Sequence, residues 1–208
     1  MPRTETFRHV RIVTPCHNPS TSFSSKAIMA TNDTSTRYGS VSRFNHWLGA
    51  LLVLALLGIG LYFGELPRGD ARKFWRGLHV AIGTVGALFL LWRVVWRLRA
   101  TSPRALPQAP ALHLFSKVVH VLMLAAIAVM AVTGPLSIWS AGRPLTVFSL
   151  VSIPSPFGAF RSWHVPLEQI HGFTAYALIV LIVLHLLGVV KHQFIDRDNI
   201  LARMAGRG

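Results

Sequence analysis

The chain has 208 residues, of which 52% are hydrophobic and 13% are charged, whereas an ordinary soluble domain carries roughly 25% charged residues. The charges gather between long apolar runs, which is typical of a polytopic membrane protein, so the net charge of +14 suits loops beside anionic lipid and argues against nucleic-acid binding. With one cysteine, Cys16, and no C-x-x-C-H motif, the sequence excludes an internal disulfide, covalent c-type haem and a cysteine-held iron–sulfur cluster.

The first 36 residues are polar, basic and rich in Ser and Thr. They lack the apolar stretch of about 7–15 residues that a secretory signal peptide needs. We predict a disordered cytoplasmic extension, or a segment upstream of a true start at Met29, because nothing here can build a core. Residues 37–205 are predicted to form a single four-span domain.

Four apolar runs long enough to cross a bilayer follow, at about residues 44–63, 78–97, 117–139 and 170–191. They predict an all-α fold, a polytopic membrane four-helix bundle. The connections at 64–77 and 99–111 are polar and do not span. The connection 140–169 is partly apolar but contains four prolines, so we expect an interfacial loop that can include a short surface helix.

Lysine and arginine are distributed unevenly over the two sides of this bundle. With the amino terminus inside, eleven flank the spans on the inner side and six on the outer side. Cytoplasmic flanks carry the excess of these residues. We therefore predict that the protein lies in a bacterial inner membrane and that both termini face the cytoplasm. The inner set is Arg37, Arg43, Arg93, Arg97, Arg99, Arg104, Lys117, Lys191, Arg197, Arg203 and Arg207.

Five histidines lie in the spans or at their ends. His171 and His185 are fourteen residues apart, so they share one helix face and are separated by about 21 Å along the axis. At the outer depth, His79 can pair with His171. At the inner depth, His185 can meet either His46 or His120. Because a histidine inside hydrocarbon is costly, this arrangement indicates a functional site.

Two histidines that face each other across a helix bundle are typical ligands of haem b, and six-coordinate iron of this kind suits electron transfer. Zinc would need three or four clustered ligands, and a proton relay would use Asp or Glu. None of the four spans contains a carboxylate. The alternative, that a histidine only packs at an interface, is the interpretation we adopt for His113 and His164 in predicted loops.

Three groups of residues carry a family resemblance. They are Asn45-His46-Trp47, then Leu78-His79-Val80 with Gly83 and Trp92-Arg93, and finally a terminal motif of His185, His192, Phe194-Ile195-Asp196-Arg197-Asp198 and Leu201-x-Arg203-Met204. Over about residues 37–205 the chain resembles the bacterial cytochrome b561 family, which includes the cytochrome b subunits of nickel–iron hydrogenases. The resemblance implies two non-covalent b haems. It implies that His46 and His185 hold the inner iron, and that His79 and His171 hold the outer iron.

The same resemblance implies electron transfer linked to the quinone pool. In the superoxide oxidase branch of the family, superoxide is oxidised to oxygen at the outer face and the electron reduces ubiquinone. Basic outer side chains would steer such an anion; the candidates are Arg68, Arg72, Lys73, Arg76 and Arg161. The candidate quinone contacts at the inner surface are His192, Lys191 and Arg43.

The alternative function belongs to another class, an electron-transfer subunit that serves a partner dehydrogenase or hydrogenase. In that case the connection 140–169 would be the docking surface. The expected partners are membrane lipid and quinone, with either superoxide or a partner redox protein, and no nucleic acid.

Overall fold

A computed structural model describes residues 31–34, 37–101, 103 and 108–206. Four long helices dominate them, and each is long and apolar enough to cross a membrane. The helices are α1 (Ser40–Glu65), α2 (Asp70–Arg99), α3 (Pro110–Ser140) and α4 (His164–Val190). The predicted all-α fold with four spans is therefore confirmed. The expectations for residues 1–30, 35–36, Arg104 and Arg207 fall outside the described residues.

The bundle exposes large apolar side chains on its outer surface. Leu51 and Leu54 of α1, Leu88 of α2 and Val180 of α4 are all more than half exposed. In water such a surface would be unfavourable, but lipid tails are as apolar as leucine and cover it without cost. This surface agrees with a multi-pass membrane protein.

The buried core lies between the two depths at which the histidines were predicted. Leu178 of α4 is 2% exposed and is seven residues, or about 10.5 Å of helix, from both His171 and His185. It packs in a buried cluster with one or two residues from each of the other helices. Those residues are Val53, Leu57, Leu90, Ala126 and Ile127. An apolar layer therefore separates the outer histidines from the inner ones.

Hydrogen bonds from two tryptophans tie the inner ends of the elements together. Trp96 of α2 donates from Nε1 to Ser42 Oγ of α1 (2.9 Å), and Ser42 Oγ donates to Asp33 Oδ2 (2.7 Å). The Asp33 carboxylate thus lies by the amino-terminal end of α1, where the helix dipole favours negative charge. Trp47 Nε1 donates to the carbonyl oxygen of Met204 (3.2 Å), which connects α1 to the chain end.

The outer connection between α3 and α4 differs from the predicted loop. It contains an antiparallel hairpin of β1 (Leu145–Val147) and β2 (Val151–Ile153), followed by a 3₁₀ turn at Arg161–Trp163. Phe148 and Ser149, at the tip of the hairpin, have φ of +48° and +59°, the left-handed conformation that tight hairpin turns require. The short β-branched strands pair with each other, so this part of the backbone forms a ladder instead of an irregular loop. The 3₁₀ turn agrees with the short surface helix that was allowed for.

Helices α3 and α4 also begin earlier than the apolar runs suggested. His113 lies in the first turns of α3, and His164 is the first residue of α4, so the prediction that these histidines lie in loops was wrong. The apolar pattern could not reveal this, because the first turns of both helices lie outside the hydrocarbon-length run. Beyond α4 the chain continues through a π-helical segment (Lys191–Asp196) into α5 (Ile200–Ala205).

Candidate functional site: two histidine clusters and their cavities

The outer cluster consists of His79 on α2 and His171 on α4. Their ring centroids are 6.3 Å apart and their planes are at 87°. A Cβ on Gly60 would lie 3.2 Å from His79 Cε1, and a Cβ on Gly134 would lie 3.3 Å from His171 Cε1. These distances are shorter than the optimal carbon–carbon contact of about 3.5–4.0 Å. The backbones of α1 and α3 therefore approach the two rings closely because these positions have no side chain.

Thr133 determines which nitrogen of His171 carries the proton. Thr133 Oγ1 donates to the carbonyl oxygen of Val129 (2.7 Å) and lies 3.0 Å from His171 Nδ1. Since the hydroxyl proton is used, the oxygen accepts from His171 Nδ1–H, and His171 Nε2 keeps its lone pair. A metal-binding histidine needs this arrangement, with one nitrogen donating to a neighbour and the other free for the metal.

A cavity of about 630 Å³ opens beside the outer cluster, within the range of roughly 300–1,000 Å³ that is typical of small-molecule and cofactor sites. It is lined by both outer histidines and by three arginines, Arg72, Arg76 and Arg143. Glu65 and Glu168 line it as well, so cations outnumber carboxylates three to two. The cavity therefore combines an imidazole pair with a net positive lining.

Two of the five predicted steering cations, Arg72 and Arg76, line this cavity, whereas Arg68, Lys73 and Arg161 do not. Lys73 instead forms an exposed ion pair with Asp70, with Nζ and Oδ1 2.9 Å apart. Sequence reasoning did not include Arg143 in the steering set. Its signal was its place as the first cation after the outer end of the third span.

The inner cluster contains three histidines, His46 on α1, His120 on α3 and His185 on α4. The ring centroids of His46 and His185 are 6.4 Å apart with planes at 62°, and those of His120 and His185 are 5.1 Å apart. His120 Nδ1 donates to the carbonyl oxygen of Ser116 (2.7 Å). The structure thus brings both predicted inner alternatives, His46 and His120, close to His185.

Ring separation distinguishes the two inner alternatives. A metal–imidazole nitrogen bond is about 2.0–2.1 Å long and a ring nitrogen lies about 1.1 Å from its centroid, so imidazoles on opposite sides of one metal ion have centroids roughly 6.3 Å apart. The His79–His171 and His46–His185 distances of 6.3 Å and 6.4 Å match this value. The His120–His185 distance of 5.1 Å is too short for such sharing.

A cavity of about 140 Å³ adjoins the inner cluster. Arg93 of α2 borders it and donates to Asn45 Oδ1 (3.2 Å) and to His46 Nδ1 (3.3 Å). Arg97 lies on the same lining, which contains no Asp or Glu. The inner cavity is therefore basic without an internal counter-charge, unlike the outer one.

The three predicted quinone contacts lie at the inner end of the bundle but outside the lining of this cavity. His192 Nδ1 is 2.6 Å from Asp198 Oδ2, and Lys191 Nζ is 2.5 Å from Asp196 Oδ2. Arg43 lies against the chain after α5. Lys191 and His192 are thus each engaged by a carboxylate of the terminal motif.

Comparison with known proteins supports one family. A family model described as prokaryotic cytochrome b561 matches residues 37–207. The chain belongs to the prokaryotic cytochrome b561 family. It is also 29% identical over 181 residues to cytochrome b561 homolog 2 of Escherichia coli strain K12, a match that covers 86% of this chain and 96% of that protein. This cytochrome is accordingly a membrane electron-transfer protein, and its family implies haem b.

Haem b fits the donor sets of this cytochrome. A flat macrocycle between two imidazoles suits the outer cluster in three respects. These are the cavity volume, the 6.3 Å ring separation, and the absence of side chains at Gly60 and Gly134 beside the rings. At the inner cluster, the 6.4 Å separation suits the iron. The inner cavity is smaller, about 140 Å³, so the fit at this end rests on the two imidazoles and their separation.

The sequence did not assign a role to Thr133 or to Asn45, although Asn45 is part of the first motif. Both were visible as polar residues beside apolar runs, Thr133 directly before Gly134-Pro135 and Asn45 directly before His46. Both are buried, with 7% and 1% of their surface exposed.

Proposed function

We propose that this cytochrome carries electrons across the membrane through two bis-histidine b haems. His79 and His171 would hold the outer iron, and His46 and His185 the inner iron. The observation that carries this proposal is the pair of ring separations, 6.3 Å and 6.4 Å, which both suit imidazoles on opposite sides of one metal ion. Each haem, when bound, supplies a one-electron redox centre without an open coordination position.

The two sites lie at different depths on one helix. His171 and His185 are fourteen residues apart on α4, so the sites are about 21 Å apart along the axis. The apolar layer around Leu178 lies between them and excludes water from the middle of the path. Electrons can therefore enter near one membrane surface and leave near the other.

For the electron donor we propose superoxide at the outer cavity. Arg72, Arg76 and Arg143 give the lining a net positive charge, which attracts a small anion and raises its local concentration. Each superoxide anion that gives up one electron leaves as dioxygen, so no proton and no covalent intermediate is needed. A site of this kind requires attraction and access rather than a shaped substrate pocket.

For the acceptor we propose ubiquinone at the inner end, near His192, Lys191 and Arg43. Reduction of one ubiquinone to ubiquinol takes two electrons and two protons. His192 donates from Nδ1 to Asp198, an arrangement that leaves Nε2 to exchange a proton with a neighbour. Lys and Arg are more numerous at this end of the bundle. This excess supports an orientation in a bacterial inner membrane in which the amino end of α1 and the carboxyl end of α4 face the cytoplasm.

The ligand assignment is tested by alanine variants and haem stoichiometry. We expect His171→Ala to lose the outer haem and His185→Ala to lose the inner one, because each removes an axial ligand. His120→Ala is the matched control, since it removes the third histidine of the inner cluster, whose ring distance to His185 does not suit iron. Retention of two haems in both ligand variants, measured by absorbance of the pyridine complex, would refute the assignment.

The donor is tested by stopped-flow mixing of the purified cytochrome with superoxide. Arg76→Gln should slow haem reduction, and the difference from the unmodified protein should shrink as salt screens the charge. Lys73→Gln is the matched control, because Lys73 is already paired with Asp70 outside the cavity. If both variants react equally fast, the steering proposal fails. The alternative of a subunit serving a dehydrogenase or hydrogenase then gains support.

A further inference from the structure

The inner cavity contains a buried hydrogen-bond donor that has no acceptor. Asn45 is 1% exposed, and its Oδ1 accepts from Arg93, but its Nδ2 is buried and has no hydrogen-bond partner among the residues that the structure describes. Native proteins rarely leave a buried amide donor unpaired, because its desolvation is not compensated. Since Asn45 lines the cavity, a ligand with an acceptor oxygen would satisfy it there.

The same cavity contains cations that lack a counter-anion. Arg93 and Arg97 both line it, no carboxylate does, and neither arginine forms an ion pair among the described residues. The acceptors bonded to the Arg93 guanidinium are neutral, Asn45 Oδ1 and His46 Nδ1. Charged groups within membrane spans are normally paired, so this arrangement suits an anionic ligand.

The fold makes specific room for Arg93 at this position. A Cβ on Gly49 of α1 would lie 2.6 Å from Arg93 Cδ. The Arg93 side chain therefore passes α1 at Gly49, and any larger residue at that position would displace Arg93. One turn along α2, Trp96 donates to Ser42 and holds the two helices together. Gly49 therefore leaves space for the Arg93 side chain, which lines the cavity.

We propose that Asn45, Arg93 and Arg97 form a binding site for a carboxylate, and that this carboxylate is a propionate of the inner haem. The proposal rests on the proposed function, since it requires haem between His46 and His185. Guanidinium groups bind carboxylates through paired, charge-assisted hydrogen bonds, and Asn45 Nδ2 supplies a further donor. The three side chains thus offer donors to a group that has only acceptors.

Carboxylate binding would also prepare His46 as an iron ligand. In the present arrangement Arg93 can only donate, so His46 Nδ1 accepts and the ring proton lies on Nε2. When the guanidinium turns to a carboxylate, Nδ1 is released and can take the proton. Nε2 then has the free lone pair that a metal requires.

The first experiment compares haem b with its dimethyl ester, which has no carboxylates. Both are titrated into the His79→Ala protein, where only the inner site is expected to bind. We expect the ester to bind roughly 10- to 100-fold more weakly than haem, and the preference to disappear in an added Arg93→Gln variant. Equal affinity for haem and ester in the unmodified inner site would overturn the proposal, as would a preference that survives Arg93→Gln.

The second experiment uses Asn45→Asp, which keeps the shape and the Oδ1 acceptor but replaces the unpaired donor with an anionic oxygen. If Asn45 only holds Arg93, the substitution strengthens that contact and the inner haem stays. If the site binds a propionate, the new charge repels it, and inner haem affinity falls at least tenfold while the ester is little affected. The retained outer haem spectrum reports that the variant is folded. Unchanged inner haem affinity would refute the proposal.

The assignment of the iron ligands and the carboxylate site can be refuted separately. If His185→Ala keeps its inner haem, the ligand assignment is wrong. If His185→Ala loses that haem but the unmodified site does not distinguish haem from ester, only the carboxylate site is wrong. If lipid or another molecule supplied the carboxylate, haem and its dimethyl ester would likewise bind with equal affinity.

Discussion

Thr133→Val isolates the hydrogen bond that holds His171. Valine has a similar shape, so the packing of α3 against α4 is largely kept, but His171 Nδ1 loses its acceptor at 3.0 Å. An unpaired buried donor costs about 1–3 kcal/mol, which corresponds to roughly 5- to 160-fold weaker binding of the outer haem. The effect should be confined to the outer site, because the inner histidines lie about 21 Å away along α4.

The reduction potential provides a second readout. A histidine that donates from Nδ1 is a stronger electron donor through Nε2 and stabilises the oxidised metal. Loss of the hydrogen bond should raise the potential of the outer haem, and a differential effect of about 1 kcal/mol equals roughly 40 mV for a one-electron couple. Spectroelectrochemical titration measures both haems in one sample, so the inner haem is the internal reference.

Thr133→Ser is the matched control, because serine restores the hydroxyl acceptor without the methyl group. We expect its outer potential to be close to that of the unmodified protein. If serine shifts the potential as much as valine does, the shift does not report the hydroxyl, and the proposed role of the hydrogen bond is refuted. If neither variant shifts the potential or haem affinity, Thr133 has no role in positioning His171.

Three further outcomes follow from the geometry. Gly134→Ala should lower the outer haem content, because the new Cβ crowds the His171 ring. Gly172→Ala is the control and should not lower it, because there is open space around its Cβ. The pyridine haemochrome assay compares the haem content of the two variants. Gly49→Ala should displace Arg93 and weaken inner haem retention by at least several-fold, measured by haem loss to apomyoglobin. Asp198→Asn should slow reoxidation of the reduced cytochrome by ubiquinone while leaving haem content unchanged, measured by stopped-flow absorbance.

The length of the apolar runs and the regular rise of the α-helix explain why the spans and the histidine depths were predictable. Apolar length alone identifies a helix that crosses a bilayer, and a rise of about 1.5 Å per residue gives the depth of His171 relative to His185. The positions of Arg143 and Thr133 could not be predicted in this way. Arg143 lines the outer cavity because the hairpin packs against α2, and Thr133 reaches the imidazole because α3 packs against α4.

The choice between His46 and His120 shows where tertiary geometry adds to sequence. Both open a span from the inner side, so their depth is equivalent. The family resemblance implied His46, and the ring distances to His185, 6.4 Å for His46 and 5.1 Å for His120, favour the same choice on independent grounds. His120 also donates Nδ1–H to its own helix at Ser116, which leaves it available as an acceptor through Nε2. This arrangement by itself would also suit a metal ligand, so it is the shorter ring distance that leads us to expect no iron at His120.

The two ends of the bundle differ in charge balance, and this difference agrees with the different tasks that we propose for them. The outer cavity has three arginines with two carboxylates nearby, so it retains a modest positive charge that can attract a mobile anion and release a neutral product. The inner cavity has two arginines and an unpaired amide with no carboxylate. A mobile anion there would be held rather than exchanged, so the inner arrangement suits a permanent ligand, whereas the outer one suits turnover.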